Sequence, residues 1–364
     1  MSYVLGALWS LLVVVVTVVC AVNLDALISR RKMTSNVTFS VTRLSEGSPS
    51  PRRVRFVVMT GVMSRVEDAV SSMGPLLRSG VSVGDRVDVL ACGYTGDAFD
   101  CFRVVRQIAR RIHKDRNDYD KIVIVGLSMA GMLSSLVLAI LRFQYQLPSE
   151  KLGAIIVDAP SSWRDFKGGG DIASQVLKVL PFGRGGNVVP GRFFMNLMKG
   201  MPKRKNIGDK GNFAVNSGNP RVRTWSQYCD WVIEKARKVL DGHLLSVWRD
   251  QMVAMANMTI DWRAFWGIPV AYLVFSDVEE DVAVELFGNN VRLFTEAVGP
   301  NAVERPVNDT IKQPQAARVW AANILGDDNL FRFYVVRGTH CGWFERPDAC
   351  RGAVSAAVDH VLQA

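Results

Sequence analysis

Histidine is scarce in this chain: 364 residues include only four, His113, His243, His340 and His360. Any chemistry that needs an imidazole base therefore has few positions to choose from. Cysteine is nearly as sparse. Cys20, Cys92, Cys101, Cys229, Cys341 and Cys350 are too few for a disulfide scaffold and suit a reducing compartment. The intervals between Cys92 and Cys101 and between Cys341 and Cys350 match no familiar zinc-binding pattern, so no metal and no other cofactor is expected. Internal repeats and low-complexity tracts are also missing.

Charge is absent from one long stretch. Tyr3 to Val22, YVLGALWSLLVVVVTVVCAV, is a run of 20 residues without a charged side chain, about the length of a helix that crosses a bilayer core. It lacks the basic leader and the short apolar segment of a signal peptide, although Val19 and Ala21 would suit cleavage after Ala21. A core helix is disfavoured because the segment is apolar all round. A single-pass transmembrane anchor is expected. Arg30, Arg31 and Lys32 follow the run, and only the α-amino group precedes it, so the flanks direct the folded part to the cytoplasmic side.

The net charge of +10 is unevenly spread: residues 161–210 hold ten basic side chains against three acidic ones. That region either meets something anionic or is a solvated face. It carries no recognised nucleic-acid motif and no dense interleaving of aromatics, so nucleic acid is not an expected partner.

Residues 1–24 read as the anchor and 25–52 as a polar linker with one strand at VTFSVTRL. From Arg53 to Pro160, short strands rich in Val and Ile alternate with amphipathic helices, the mark of an α/β domain whose mostly parallel sheet is covered on both faces. Residues 161–264, with GGG, GRGG and SGNP, read as an insertion. The alternation resumes over 265–364.

Two serines compete as nucleophile. GVSVG, residues 80–84, fits G-x-S-x-G to the letter, but it follows a helix and leads into a strand, so Ser82 lies on a connecting loop. Ser128 in IVIVGLSMAG has Ala130 at the second glycine position, yet it stands between a buried strand and a helix, as a strained nucleophile turn requires. Its base is expected to be His340, the one histidine that directly follows a sheet strand, in FYVVRGTHCGWFERPDA. His113 lies on a basic helix face, His243 in the insertion and His360 on the last helix.

Together these segments resemble the α/β-hydrolase family. IVIVGLSMAG is similar to its nucleophile elbow, IPVAYLVFSDVEEDV to its acid-bearing strand and turn, and GTHCGWFERPDA to its histidine loop. The resemblance covers 53–364 and implies an α/β-hydrolase fold with residues 161–264 as a cap or lid. It implies a triad of Ser128, His340 and an acid, for which Asp281 is preferred over Glu279, with Asp158 third. It also implies an oxyanion hole from the backbone amides of Met129 and Val62, although Thr60-Gly61 stands where the family usually has His-Gly. The implied function is a membrane-anchored serine hydrolase of ester or thioester bonds, acting on a small-molecule acyl ester or a lipid. The alternative is a catalytically silent α/β-hydrolase fold that serves as a binding or scaffold protein.

Overall fold

The computed structural model describes residues 34–48, 51–61, 66–96, 98–159, 260–276, 325–337 and 347–364, with isolated positions at 13, 17, 221, 227, 230, 247, 250, 251, 254, 258 and 343. Among the described residues, seven strands form one sheet: β1 (Ser35–Ser45), β2 (Arg53–Met59), β3 (Arg86–Gly96), β4 (Lys121–Leu127), β5 (Leu152–Val157), β6 (Val270–Ser276) and β7 (Phe331–Arg337). They lie in the order β1-β3-β2-β4-β5-β6-β7, with β1 antiparallel to β3 and every other pairing parallel.

The continuous apolar runs of the parallel strands are explained by burial on two sides. Val57, Met59, Ile122, Ile124, Ala154, Ile156 and Tyr272 face one core, while Val54, Phe56, Val58, Val123, Val125, Ile155 and Val157 face the other. Helices α2 (Cys101–Lys114) and α3 (Met129–Ala139) cover the first face; α1 (Val66–Ser79) and α4 (Pro347–Gln363) cover the second. The expected mostly parallel sheet with helices on both faces is thus observed.

The sheet starts earlier than the expected boundary at Arg53. Residues 35–45, inside the stretch read as a linker, add an edge strand whose mixture of half-buried and exposed side chains reflects one covered face. Part of the expected insertion is also tied to the core. Val247 is buried in the first core, and the Asp250 carboxylate accepts the Phe99 N–H at 3.2 Å.

Among the described residues no helix is long and apolar enough to cross a membrane. Apart from Val13 and Thr17, which are helical with the Thr17 hydroxyl donating to the Val13 carbonyl at 2.7 Å, the run Tyr3–Val22 lies outside the described residues.

At the edge where the strands begin, Asp88 is buried and receives Arg43, Arg86 and Tyr119 at 3.0, 3.2 and 2.8 Å. Burial alone would raise its pKa, but the hydrogen bonds from Arg43 and Tyr119 hold the carboxyl below the usual carboxylate range.

His360, near the end of α4, is held at the same edge, with its Nε2 3.3 Å from the Leu330 carbonyl. Burial depresses its pKa from 6.5 to about 4, against the opposing pull of that carbonyl. The unfolded chain therefore takes up a proton that the folded one refuses. The contribution of this neutral imidazole to stability is full above pH 6.5 and drains away as the pH falls toward about 4. Melting temperatures measured across that window should fall less steeply for His360→Gln than for the unmodified protein. Parallel curves would show that His360 titrates alike in both states.

Candidate active site

β4 is the central strand, and at its carboxyl end the chain reverses into α3 through Ser128. The reversal is tight: the Ser128 N–H donates to the Val157 carbonyl of β5 at 2.8 Å, and the Ser128 carbonyl accepts the Gly131 N–H at 2.9 Å. Ser128 has φ 53° and ψ −124°, a region that non-glycine residues occupy at a cost of about 1–3 kcal/mol and mainly at functional sites. An ordinary serine N-cap has extended backbone angles and bonds to its own helix. Ser128 does neither, since its side chain makes no capping hydrogen bond to α3.

Close approach of β4 and α3 makes the turn possible. A Cβ on Gly126 would fall 2.7 Å from the Ala130 carbonyl oxygen and 2.7 Å from Gly131 Cα. On Gly131 it would fall 2.2 Å from Ala159 Cβ and 2.9 Å from Ile156 Cγ2, on β5 and the turn after it. Ala130, the departure from the motif, is fully buried in the first core. The second place that tolerates no side chain is Gly131, one position further on. Sequence comparison with the motif locates it one residue too early.

The site lies where the sheet changes direction. The chain leaves β2 for α1 on one face and leaves β4 for α3 on the other, so the carboxyl ends of these two neighbouring strands mark the point where the strand order reverses, the place at which an α/β sheet forms its ligand crevice. Gly61, just after β2, closes one side of that crevice. A Cβ there would lie 3.0 Å from Ser128 Cβ and 3.6 Å from Ser128 Oγ. Thr60 beside it is buried and donates its hydroxyl to the Cys92 carbonyl at 3.1 Å. The side chain that replaces the motif's histidine therefore fixes the loop to β3. Met129 begins α3, so its N–H is one of the helix's unshared donors, at the end of the helix that favours negative charge.

Other nucleophiles and bases can be sorted by position. Cys92 ends in the same region, but complete burial pushes its thiol far above its ordinary pKa, so it stays protonated and poorly reactive. Ser82 is exposed on the turn between α1 and β3, at the opposite edge of the sheet. His113 stacks on Tyr145 at 4.1 Å near the end of α2, and His360 meets Leu330, both also at the opposite edge. Asp158, immediately after β5, is 1% exposed, has φ 50°, and donates its N–H to the Leu273 carbonyl at 2.7 Å. It is a buried carboxylate at the same edge as Ser128. Of the remaining expected site residues, Val62, Glu279, Asp281 and His340 lie outside the described residues, as does His243. Among the described residues, no cluster of His, Cys, Asp or Glu could hold a metal ion.

No family model matches the chain, and no curated protein matches it. Among solved structures the chain is similar to a carboxylesterase of the ammonia-oxidizing thaumarchaeon Nitrososphaera gargenis, at 13% identity over 91% of this chain and 99% of that one, with a TM-score of 0.46. A thermophilic esterase from Thermogutta terrifontis is similar at 16% identity over 89% and 93%, with a TM-score of 0.44. A bromoperoxidase from Bacillus anthracis is similar at 10% identity over 88% and 95%, with a TM-score of 0.49. The strand order and the Ser128 turn, rather than these distant likenesses, define the fold.

Proposed function

We propose, from the α/β-hydrolase fold that the strand order and the Ser128 turn define, that the protein is a serine hydrolase acting on ester or thioester bonds. The observation that carries this reading is the strained backbone of Ser128, which holds a serine at the crevice without using it as a helix cap. In the proposed mechanism Ser128 Oγ attacks the acyl carbon while His340 takes its proton. Backbone amides of Met129 and Val62 receive the developing oxyanion. His340 then returns the proton to the leaving group, and water resolves the acyl-enzyme by the same route reversed. His340 is favoured because it follows β7, which ends at Arg337, on the sheet edge that carries Ser128, whereas His113 and His360 are held at the other edge.

Asp281 is proposed to orient His340, with Glu279 as the alternative; both follow β6, which ends at Ser276. Asp158 is the third choice, supported by its burial at the same edge. The substrate is proposed to be a small acyl ester or a lipid, met at a membrane to which the run Tyr3–Val22 anchors the chain as a single span, with the folded domain on the cytoplasmic side. Residues 161–264 are proposed as its cap.

The test is labelling of the folded full chain with a fluorophosphonate, which phosphonylates an activated serine with loss of fluoride, followed by peptide mapping. An adduct is expected on Ser128, lost in Ser128→Ala and His340→Ala and absent after heat denaturation. A folded protein that takes no label would instead be a silent member of the fold, and its function would be binding.

A further inference from the structure

Helix α2 has two unlike faces. Val104, Val105, Ile108, Ala109 and Ile112 are buried against the sheet, while Arg103, Arg106, Arg110 and Lys114 form an exposed row at intervals of three and four residues. The helix contains no acidic residue. Among the described residues, carboxylates stand at its two ends: Asp250 accepts the Phe99 N–H and Asp100 the Arg103 N–H at the start, while at the finish Asp115 is paired with Arg55 and Arg111 and Asp118 lies just beyond. At the start of the exposed row stands Phe102, 62% exposed and one turn from Arg106. A basic row with a large apolar side chain beside it suits the interface of an anionic lipid surface, where the cations meet headgroups and the ring enters the acyl boundary.

The attachment of the N-terminal run points to the same partner. Thr34, just before β1, accepts the Ala98 N–H at 3.2 Å through its carbonyl. Ser35 accepts the Asp100 N–H through its hydroxyl at 3.0 Å and the Gln107 side-chain amide through its carbonyl at 2.8 Å. The chain therefore enters the domain at the N-terminal half of α2. Between Val22 and Thr34 lie eleven residues, a reach of about 40 Å when fully extended. From this geometry we infer that the outer face of α2 is a contact for anionic lipid, which holds the domain against the membrane at a fixed orientation. Because α2 begins at the edge of the sheet that carries Ser128, Phe102 would lie on the lipid side of the crevice. The inference rests on the proposed anchoring by Tyr3–Val22 and is independent of the chemistry at Ser128.

It can be tested with the full chain in nanodiscs of phosphatidylcholine alone or with phosphatidylserine. Benzoylphenylalanine replaces Phe102 or, as a control, Val83, which is 87% exposed on the turn between α1 and β3. Irradiation and mass spectrometry then read lipid adducts, while co-elution with the discs reads anchoring separately. Position 102 is expected to give adducts in the phosphatidylserine discs, reduced about tenfold or more by the combined Arg106→Glu, Arg110→Glu and Lys114→Glu changes, with little at position 83. Equal adducts in both lipids, or equal adducts at 102 and 83, on disc-bound protein would overturn the lipid face and leave the anchor standing. A chain that does not co-elute with the discs would overturn the anchor and this inference with it. Single-stranded RNA bound by the chain in neutral discs, and released by the three charge reversals, would reassign the face to nucleic acid.

Discussion

Ser128→Ala is expected to lower kcat for a chromogenic acyl ester by about 10⁴-fold or more while leaving KM nearly unchanged, because the hydroxyl is needed in the bond-forming step and contributes little to ground-state binding. The fold should survive the change. No capping bond to α3 is lost, and alanine keeps the Cβ that sits against Gly61, so stability should stay within about 1 kcal/mol. Ser128→Gly gives an independent reading of the strain. Glycine occupies φ 53° without the steric cost that serine bears, so this variant should be as inactive as the alanine one but more stable than the unmodified protein by about 1 kcal/mol. Activity within tenfold of the original in either variant would show that ester cleavage takes place elsewhere.

The second large effect is expected in stability rather than rate. Gly126→Ala and Gly131→Ala each place a methyl group less than 3 Å from atoms of a neighbouring element, and the atoms met include backbone at Gly126 and a buried methyl at Gly131. Neither neighbour can yield by a simple side-chain rotation, so α3 must move away from β4 or β5. The expected cost is about 3 kcal/mol or more for each, read from urea unfolding midpoints. Ala130→Gly, which restores the letter of the motif, should instead cost about 0.5–1 kcal/mol through backbone entropy in the helix. If Ala130→Gly stabilises the protein, then Ala130 is crowded and α3 is already displaced. Activity should follow the same order, since any shift of α3 moves the Met129 amide relative to Ser128.

Those contrasts bear on what could be read from the residues alone. The parallel strands were legible because burial on two faces removes polar side chains from most of their length, as in residues 122–127, all apolar and all buried. The serine was legible from its context between strand and helix. β1 was less so. As an edge strand with one covered face it mixes half-buried and exposed positions, so residues 37–44 read as a strand but not as part of the domain's sheet. The true site of closest helix approach was hidden because Gly131 is set by Ala159 and Ile156, contacts from β5 that local spacing does not report. The positive φ of Asp158 had no signal at all, since it follows from tertiary packing at a strand end. The triad acid is the least legible member, because Asp277, Glu279, Glu280 and Asp281 crowd one short segment.

The second core has a consequence for how the chain acquires its structure. Its floor is laid early, by β2, β3 and α1, but its cover includes Cys350, Val354, Ala357, Val358 and Val361 of α4, which follow only after the rest of the sheet. The pairing of Ala154 with Val270 likewise joins two halves separated by more than a hundred positions. On the ribosome the N-terminal half therefore presents an open apolar face until α4 has emerged. Contacts between segments so far apart in sequence slow folding, and the open face is a surface prone to aggregation in the interval.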